Sequence, residues 1–216
     1  MTRKERYNYI LDYFRENVGE VSTELMFSSA FQLLCATLLS AQCTDKRINA
    51  ITPELFAKYP DAKAMASAEV EEVFELVRSV SYPNSKAKHL VEMARMVVEC
   101  YGGEIPSDPN ELVKLPGVGR KTANVVRGEV WGLADGITVD THVKRLTNLI
   151  GLVSSEDPIK IELELMKIVP KKSWINFSHY LILHGRATCI ARRPRCSECE
   201  ISKYCNYGIK KLSNEN

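Results

Sequence analysis

Hydrophobic residues recur at helical spacing along most of this chain. The first segment repeats apolar residues in the i, i+3, i+4, i+7 pattern of one helix face: Tyr7, Ile10, Leu11 and Phe14. Residues 28–42 are apolar on nearly every side, which suits a helix buried at the centre of a domain. The sequence offers no convincing series of alternating strand positions. The pattern therefore predicts an all-α fold.

Polar residues that cap helices stand ahead of several of these runs. Thr2, Ser67 and Ser85 each precede a segment with helical spacing. Two pairs, Asp108-Pro109 and Asp157-Pro158, combine a capping side chain with proline at the first helical position. The pattern is interrupted at residues 133–140, LADGITVD, which read as a turn and a short extended run. A division between two lobes is compatible with that interruption.

Composition sets wide limits on function. The 216 residues can form one domain or two modest lobes, each with a real core. Because 29 basic and 27 acidic residues leave a formal charge of +2, a nucleic-acid partner would need a local basic surface. The N-terminus lacks the apolar run of a signal peptide, and no stretch approaches the roughly 18 apolar residues of a membrane span. We expect an untargeted cytoplasmic protein with no membrane partner.

The segment LPGVGRKTANVV, residues 115–126, places two glycines ahead of an apolar helical run. A dinucleotide fingerprint would need a preceding strand and a third glycine where Thr122 stands. A P-loop would need four residues between its glycines, whereas here there is one. The remaining interpretation is a tight hairpin between two helices.

Such a hairpin can bind an anion. Gly117 and Gly119 leave little side-chain bulk in front of a helix N-terminus, where the amides of Val118, Gly119 and Arg120 would face a phosphate. The alternative is a plain helical corner. Positive charge near the turn argues against that alternative, and it comes from Arg120, Lys121 and Arg127.

Lys121 lies in the first turn of the predicted helix, beside Arg120. The helix dipole and the neighbouring like charge both disfavour the cationic form, so the position that binds phosphate would also activate an amine. The alternative is a surface lysine that only contacts phosphate.

Asp140 is the candidate carboxylate partner of that lysine. A helix from Lys121 to Trp131 would rise ~15 Å, and residues 132–140 can extend over up to ~30 Å, so the chain can return to the start of the helix. Asp140 also precedes a helical run, and capping alone is the alternative role. Both roles are compatible, because helix amides keep a carboxylate ionised and fixed in direction.

Four of the seven cysteines follow a C-x6-C-x2-C-x5-C pattern near the C-terminus: Cys189, Cys196, Cys199 and Cys205. Thiolates so closely spaced in a cytoplasmic chain indicate a metal centre, either zinc or an iron-sulfur cluster. Arg192, Arg193 and Arg195 lie between the cysteines and form a candidate surface for a DNA backbone.

In chain order, the segments LLSAQCTD, NSKA, LPGVGRKTANVV, VDTHV and LILHGR and the four-cysteine tail resemble the endonuclease III family. Its members are bifunctional DNA glycosylases and abasic-site lyases of the helix-hairpin-helix superfamily, with a Gly/Pro-rich loop and a catalytic aspartate. The hairpin at about residues 112–126 matches the motif that grips a DNA backbone without reading its sequence. The resemblance covers nearly the whole chain.

The resemblance implies two helical lobes with a DNA-binding cleft. One is a six-helix barrel of residues 23–133; the other joins residues 1–22 to 134–216. The second lobe holds a 4Fe-4S cluster in the loop 189–205, with the four tail cysteines as its ligands. The family precedent is a monomer that binds double-stranded DNA containing damaged bases or abasic sites.

The resemblance also implies the chemistry. A damaged pyrimidine is flipped out of the duplex, and Lys121 attacks the sugar C1′, displaces the base and forms a Schiff base. Asp140 helps to deprotonate the amine and stabilises positive charge on the sugar. Loss of a C2′ proton then cleaves the strand 3′ to the lesion by β-elimination. Oxidised pyrimidines are the expected substrates.

Other positions match the family less completely. Gln42 matches the residue that fills the space left by the flipped nucleotide, although a buried amide at a helix end is the alternative. Tyr82 stands where many relatives carry an aliphatic wedge, and it could stack between bases instead. His142 and His184 match positions near the site and receive no role.

Two other functions are compatible with parts of the pattern. An adenine glycosylase acting on mispairs shares the cluster and the aspartate but lacks the lysine nucleophile. A non-catalytic iron-sulfur DNA-binding protein would not require the aspartate. The presence of both Lys121 and Asp140 favours the bifunctional enzyme.

Overall fold

The computed structural model describes residues 1–214, and within them the chain is helical without a β-strand. The all-α prediction is therefore confirmed. The described helices are α1 (Arg3–Asn17), α2 (Ala30–Ser40), α3 (Asp45–Lys58), α4 (Ala62–Ala66), α5 (Val70–Val77), α6 (Pro83–Tyr101), α7 (Pro109–Leu112), α8 (Arg120–Trp131), α9 (Thr141–Ile150), α10 (Pro158–Ile168), α11 (Trp174–Ala187) and α12 (Asn206–Asn214). None of them is long and apolar enough to cross a bilayer.

Several helices begin where their caps predict. Thr2 and Glu5 form a reciprocal capping box at α1, with Glu5 N donating to Thr2 Oγ1 over 3.2 Å and Thr2 N donating to Glu5 Oε2 over 2.8 Å. Asp108 and Asp157 accept backbone N–H bonds at the starts of α7 and α10, and proline follows each of them. The Asp-Pro signal therefore identifies both helix starts correctly.

Two predicted caps are wrong. Ser67 follows α4 instead of starting α5, which begins at Val70 after Glu69. Ser85 lies inside the first turn of α6, because that helix already begins at Pro83. Proline fixes a helical φ and needs no N–H partner at the first helical position, so α6 begins at Pro83 and not after Ser85.

The described chain divides into two compact units, one formed by residues 24–133 and the other by Met1–Thr23 with the segment from Ala134 onward. In the 24–133 unit, α2 is the central helix and packs against α3, α6 and α8. Its side chains Leu33, Leu34 and Leu39 are fully buried. The uniformly apolar character of residues 28–42 is explained by this central position.

In the other unit, α1 packs with the C-terminal helices. Phe14 stacks on Tyr180 of α11 with ring centroids 5.3 Å apart, and Tyr7 meets Phe177 edge-on at 5.2 Å. Arg6 is buried and donates to Gly151 O over 3.0 Å and to Asn206 Oδ1 over 2.6 Å. These contacts incorporate the N-terminal helix into the unit that carries the cysteine loop.

Candidate active site and cysteine loop

The glycine segment is a hairpin between α7 and α8. Leu115 N donates to Leu112 O over 3.1 Å and Val118 N donates to Leu115 O over 3.0 Å, so two successive i to i+3 bonds close the turn. Leu112, Leu115 and Val118 are buried beneath it. Helix α8 begins at Arg120, directly after Gly119. The chain thus emerges from a rigid turn straight into the first helical turn.

Gly117 has little room for a side chain in this hairpin and a backbone conformation that favours glycine. Its φ is +75°, and a Cβ built on it would lie 2.8 Å from Leu38 Cδ1 and 3.0 Å from His89 Nδ1. Gly119 differs, since its φ is −93° and a Cβ there would have open space around it. The first glycine is therefore required by the fold, whereas the second keeps the approach to the helix N-terminus open.

The hairpin exposes the first turn of α8 but not the amide of Val118. That N–H already donates to Leu115 O, which conflicts with its expected use as a phosphate donor. The N–H groups of a first helical turn have no acceptor within the helix, and here Gly119, Arg120 and Lys121 are exposed around them. The N–H groups of this hairpin that remain open to an anion therefore begin at Gly119.

Arg127 does not belong to the exposed basic group. It is 7% exposed, and its Nε donates to Ser107 O over 2.6 Å. The sequence offers Arg127 as positive charge near the turn against a plain helical corner, and its burial removes that support. The residue instead connects α8 to the loop before α7 within the unit.

Asp140 is the N-cap of α9, as its sequence position predicts. Its Oδ1 accepts the Val143 N–H over 2.7 Å, which fixes the carboxylate relative to the helix axis. The residue is half-buried and belongs to the unit that carries the cysteine loop, whereas Lys121 belongs to the 24–133 unit.

His142 is the nearest titratable neighbour along the same helix. Burial lowers the pKa of its imidazole, and the negative charge of Asp140 opposes that shift. A Cβ at Gly185 of α11 would lie 2.7 Å from His142 Nδ1, so the glycine makes room for the ring. The imidazole is therefore packed against α11, where burial favours its neutral form.

The four tail cysteines surround one cavity. Cys189 follows α11, Cys196 begins a 3-10 turn that ends at Glu198 just before Cys199, and Cys205 immediately precedes α12. An isolated bridge between Cys189 and Pro194 closes the intervening loop. All four cysteines line the cavity together with apolar side chains, including Leu146, Ile150 and Ile201.

The cavity suits a thiolate-bound cluster. Soft sulfur ligands on an apolar lining are the environment of iron-sulfur centres, whose potential is tuned by N–H donors to sulfur. Here Gly208 N donates to Cys205 Sγ over 3.4 Å, and Arg145 Nη1 donates to Cys189 Sγ over 3.5 Å. Within residues 1–214, no group of three His, Cys, Asp or Glu side chains is placed to hold a single metal ion.

His184 and Arg145 were not interpreted as parts of this site from the sequence. His184 Nε2 lies 3.5 Å from Cys199 Sγ, and burial followed by the charge of Arg145 lowers the pKa of the imidazole to about 4. Burial likewise raises the pKa of the Cys199 thiol to about 11. The sequence shows Arg145 as a cation about one turn after the capped start of α9. That its side chain points toward Cys189 Sγ depends on the tertiary structure.

The arginines of the loop lie on its outer surface. Arg192, Arg193 and Arg195 are exposed, and the backbone N–H of Arg195 donates to Thr188 O over 3.1 Å. The four cysteines line the cavity, and so does Arg195, which also lies 3.9 Å from Glu198. The exposed arginines are the candidate for the local basic surface that a nucleic-acid partner would need.

Gln42 and Tyr82 also lie on the surface, each in an unusual backbone conformation. Both have a φ of +57°, and Tyr82 is 65% exposed. Ser81 Oγ donates to Gln42 O over 2.7 Å, which connects the two turns. The exposed position of Gln42 does not fit the alternative of a buried helix-end amide.

A family model described as an HhH-GPD superfamily base excision DNA repair protein matches residues 35–171. A second, the iron-sulfur binding domain of endonuclease III, matches residues 189–205, the loop that encloses the cavity. Endonuclease III of Synechocystis sp. is 46% identical over 204 residues, which cover 94% of this chain and 93% of that protein.

The chain belongs to the endonuclease III family. Two solved endonuclease III structures have its fold. A non-covalent endonuclease III–DNA complex superposes with a TM-score of 0.91 at 38% identity, covering 99% of this chain and 100% of that one. A trapped endonuclease III–DNA covalent intermediate gives the same TM-score and identity over 98% and 100%.

Membership of the endonuclease III family establishes the class of activity. The protein is a base-excision DNA glycosylase with abasic-site lyase activity, and DNA is its partner. It is also a 4Fe-4S protein, in agreement with the thiol-lined cavity. The sequence expectations for family, activity and cofactor are confirmed.

Proposed function

We propose that Lys121 is the nucleophile of a Schiff-base mechanism that removes oxidised pyrimidines from duplex DNA. Its neutral amine attacks the sugar C1′, and the C1′–N bond to the base breaks with its electron pair leaving on the base. The amine loses a proton, and the C1′–O4′ bond then breaks with its electron pair leaving on O4′, which takes up a proton; the product is the open-chain iminium. The iminium acidifies the C2′ proton, whose loss breaks the C3′–O bond and expels the 3′ phosphate by β-elimination. The observation that carries this proposal is the exposed Lys121 in the first turn of α8, directly after the hairpin.

The covalent step has support from a relative. A structural relative that covers 98% of this chain was captured as a covalent intermediate with DNA. A lysine amine is a common nucleophile for a sugar aldehyde because it forms an imine. Phosphates held at the N-terminus of α8 would keep the sugar within reach of the Lys121 side chain.

Asp140 would hold the second catalytic function. Its carboxylate is fixed by the Val143 N–H, and the Oδ2 atom of the same group is a second acceptor. Such a group can take the proton of the attacking amine and stabilise positive charge on the sugar. Capping and catalysis would use different oxygens of one side chain.

The remaining contacts would position the DNA. Gly117 shapes the hairpin, and the helix start from Gly119 and Arg120 binds phosphate, while Val118 closes the turn. Arg192, Arg193 and Arg195 would contact the backbone from the cysteine loop. The cluster, held by Cys189, Cys196, Cys199 and Cys205, supplies rigidity to that loop. Gln42 would fill the gap left by the flipped nucleotide, and Tyr82 would stack beside it.

Borohydride trapping tests the nucleophile. Reduction of the imine should give a stable covalent complex between the wild-type protein and duplex DNA containing thymine glycol or an abasic site. Lys121→Ala should abolish it, lowering trapping by at least about a hundredfold because the covalent route is lost. Lys114→Ala is the matched control, since Lys114 is an exposed lysine of the same hairpin region, paired with Glu111 at 2.7 Å.

The outcomes separate the rival functions. No trapped species with the wild type, or undiminished trapping with Lys121→Ala, would remove the lysine mechanism. Excision of adenine from mispairs without trapping would favour the adenine glycosylase, and DNA binding with neither activity would favour a non-catalytic protein. Light scattering of the free protein and of its DNA complex tests the proposed monomer.

A further inference from the structure

Gln42 occupies a turn position that normally requires glycine. Residues 40–43 form a turn closed by Cys43 N donating to Ser40 O over 2.9 Å. Ala41 has φ −55° and ψ 116°, and Gln42 has φ +57°, which are close to the values of a type II turn. The third residue of that turn is usually glycine because a Cβ disfavours positive φ. Something outside the turn must therefore stabilise Gln42 in this conformation.

Each of the two peptide groups that flank Gln42 accepts a hydrogen bond from a side chain at or just before the start of α6. On the N-terminal side, Lys86 Nζ donates to Ala41 O over 2.6 Å and to Leu39 O over 2.8 Å. On the C-terminal side, Ser81 Oγ donates to Gln42 O over 2.7 Å. Fixing both peptide planes fixes the backbone torsions between them, so these donors select the left-handed conformation of Gln42.

Tyr82, the N-cap of α6, has a similar conformation and directly follows Ser81 in the chain. Its φ is +57° and its ψ is 50°, and its carbonyl accepts the first helical bond of α6 from Lys86 N over 3.1 Å. Within residues 1–214, Gln42 and Tyr82 are the two non-glycine residues with positive φ. The backbone of Lys86 thus bonds Tyr82 in the first turn of α6, while its ammonium group bonds the Gln42 turn.

Lys86 is buried, so a contact at the protein surface does not explain why a lysine stands at this position. The residue is 5% exposed, and its ammonium bonds the carbonyls at the C-terminal end of α2. A buried lysine is rare because desolvation of its charge is costly, so its retention needs a function that an apolar residue cannot supply. The carbonyls of Leu39 and Ala41, both on the N-terminal side of Gln42, are such a requirement.

We propose that Lys86 and Ser81 are positioning residues that join the Gln42 and Tyr82 turns into one rigid element for insertion into duplex DNA. The inference rests on the proposed insertion of Gln42 and Tyr82. Both side chains then enter the DNA from backbones that are already in their inserted conformation, and no ordering cost is added on binding. Lys86 and Ser81 themselves do not contact the reacting sugar.

Comparison of duplex and single-stranded substrates tests this inference. Cleavage at an abasic site uses the same lysine chemistry in both, but only the duplex requires extrusion of the sugar and filling of the gap. Under single-turnover conditions, Ser81→Ala and Lys86→Met should each lower the duplex rate by about tenfold and the single-strand rate by less than about twofold. Lys86→Arg, which can still donate to both carbonyls, should recover most of the duplex rate.

Matched controls lie on the same helix. Lys88→Met removes an exposed ammonium, 64% exposed by its side chain, from the same α6, and Ser85→Ala removes an exposed hydroxyl. Neither should change the ratio of duplex to single-strand rates. Ser81→Ala deletes a single surface hydroxyl, so it decides the question if Lys86→Met does not fold.

Failure of the inference differs from failure of the proposed function. If the wild type cleaves both substrates and Ser81→Ala leaves their ratio unchanged, the positioning role is wrong while the lysine mechanism stands. An equal loss on both substrates would show a general structural role and also overturns the inference. A wild type that cleaves neither substrate overturns both.

Discussion

The 24–133 unit places the chain in the left-handed backbone region at two kinds of turn, and it uses different residues for each. In the hairpin before α8 the residue is Gly117, with a φ of +75°. In the turns after α2 and before α6 the residues are Gln42 and Tyr82, each with a φ of +57°. The first turn has no space for a Cβ, whereas Gln42 and Tyr82 both extend into solvent.

The difference indicates what each turn presents to its partner. The proposed role of the hairpin is to present backbone amides to a phosphate. Glycine suits that role because it has no side chain to cover the amides and adopts positive φ at little cost in free energy. The other turns present side chains, so glycine is not an option and the conformation must be stabilised from outside. At the Gln42 turn, Ser81 and Lys86 supply that stabilisation through three hydrogen bonds, whose acceptors are Gln42 O, Leu39 O and Ala41 O.

Gly117→Ala should have the largest effect in this comparison. The new Cβ would meet Leu38 Cδ1 at 2.8 Å and adopt an unfavourable φ, so two penalties add. We expect a loss of about 3 kcal/mol in the free energy of unfolding. Urea denaturation followed by circular dichroism measures this loss.

Gly119→Ala is the internal control for that prediction. Its φ is −93° and its Cβ would have open space, so stability should change by less than about 1 kcal/mol. Its added methyl group lies in front of the first-turn amides and should weaken DNA binding instead. Equal destabilisation by both substitutions would contradict the distinction between the two glycines.

Local signals in the sequence were sufficient for the hairpin but not for the other turns. The i, i+3, i+4 periodicity, the Asp108-Pro109 cap and the glycine pair depend on neighbours in the chain, so they predict α7, the turn and α8. The left-handed conformation of Gln42 depends on Ser81 and Lys86, which lie 39 or more residues away. No periodic pattern reports such contacts.

The two basic residues Arg120 and Arg127 show the same limit. In the sequence both contribute positive charge near the hairpin, which argues against a plain helical corner, yet Arg127 is buried and donates to Ser107 O. They lie seven positions apart, which is about two helical turns, so periodicity places them on similar faces. Which part of that face is covered by the loop before α7 is a property of the tertiary structure.

Tyr82→Gly should separate stability from activity. Glycine relieves the unfavourable φ and the ring is 65% exposed, so the free energy of unfolding should change by less than about 1 kcal/mol. Loss of base stacking should nevertheless lower cleavage of an abasic-site duplex by about tenfold. Tyr82→Phe keeps the ring and should retain the wild-type rate in the same single-turnover assay. A Gly variant as active as the wild type would remove Tyr82 from the DNA interface.

Arg120→Met should have the smallest effect, and it is best seen in the salt dependence of DNA binding. Arg120 is exposed at the start of α8, so the variant should release about one counterion fewer than the wild type when it binds DNA. The slope of log affinity against log salt should therefore become shallower by about one.

Arg127→Met is the control. It removes the same charge from a buried position, so it should leave the slope unchanged while lowering the melting temperature, because Ser107 O loses its donor. Fluorescence anisotropy titrations of one labelled duplex at several salt concentrations compare the two variants. Equal slopes for both variants would mean that the phosphate contacts of the hairpin come from its backbone amides and not from Arg120.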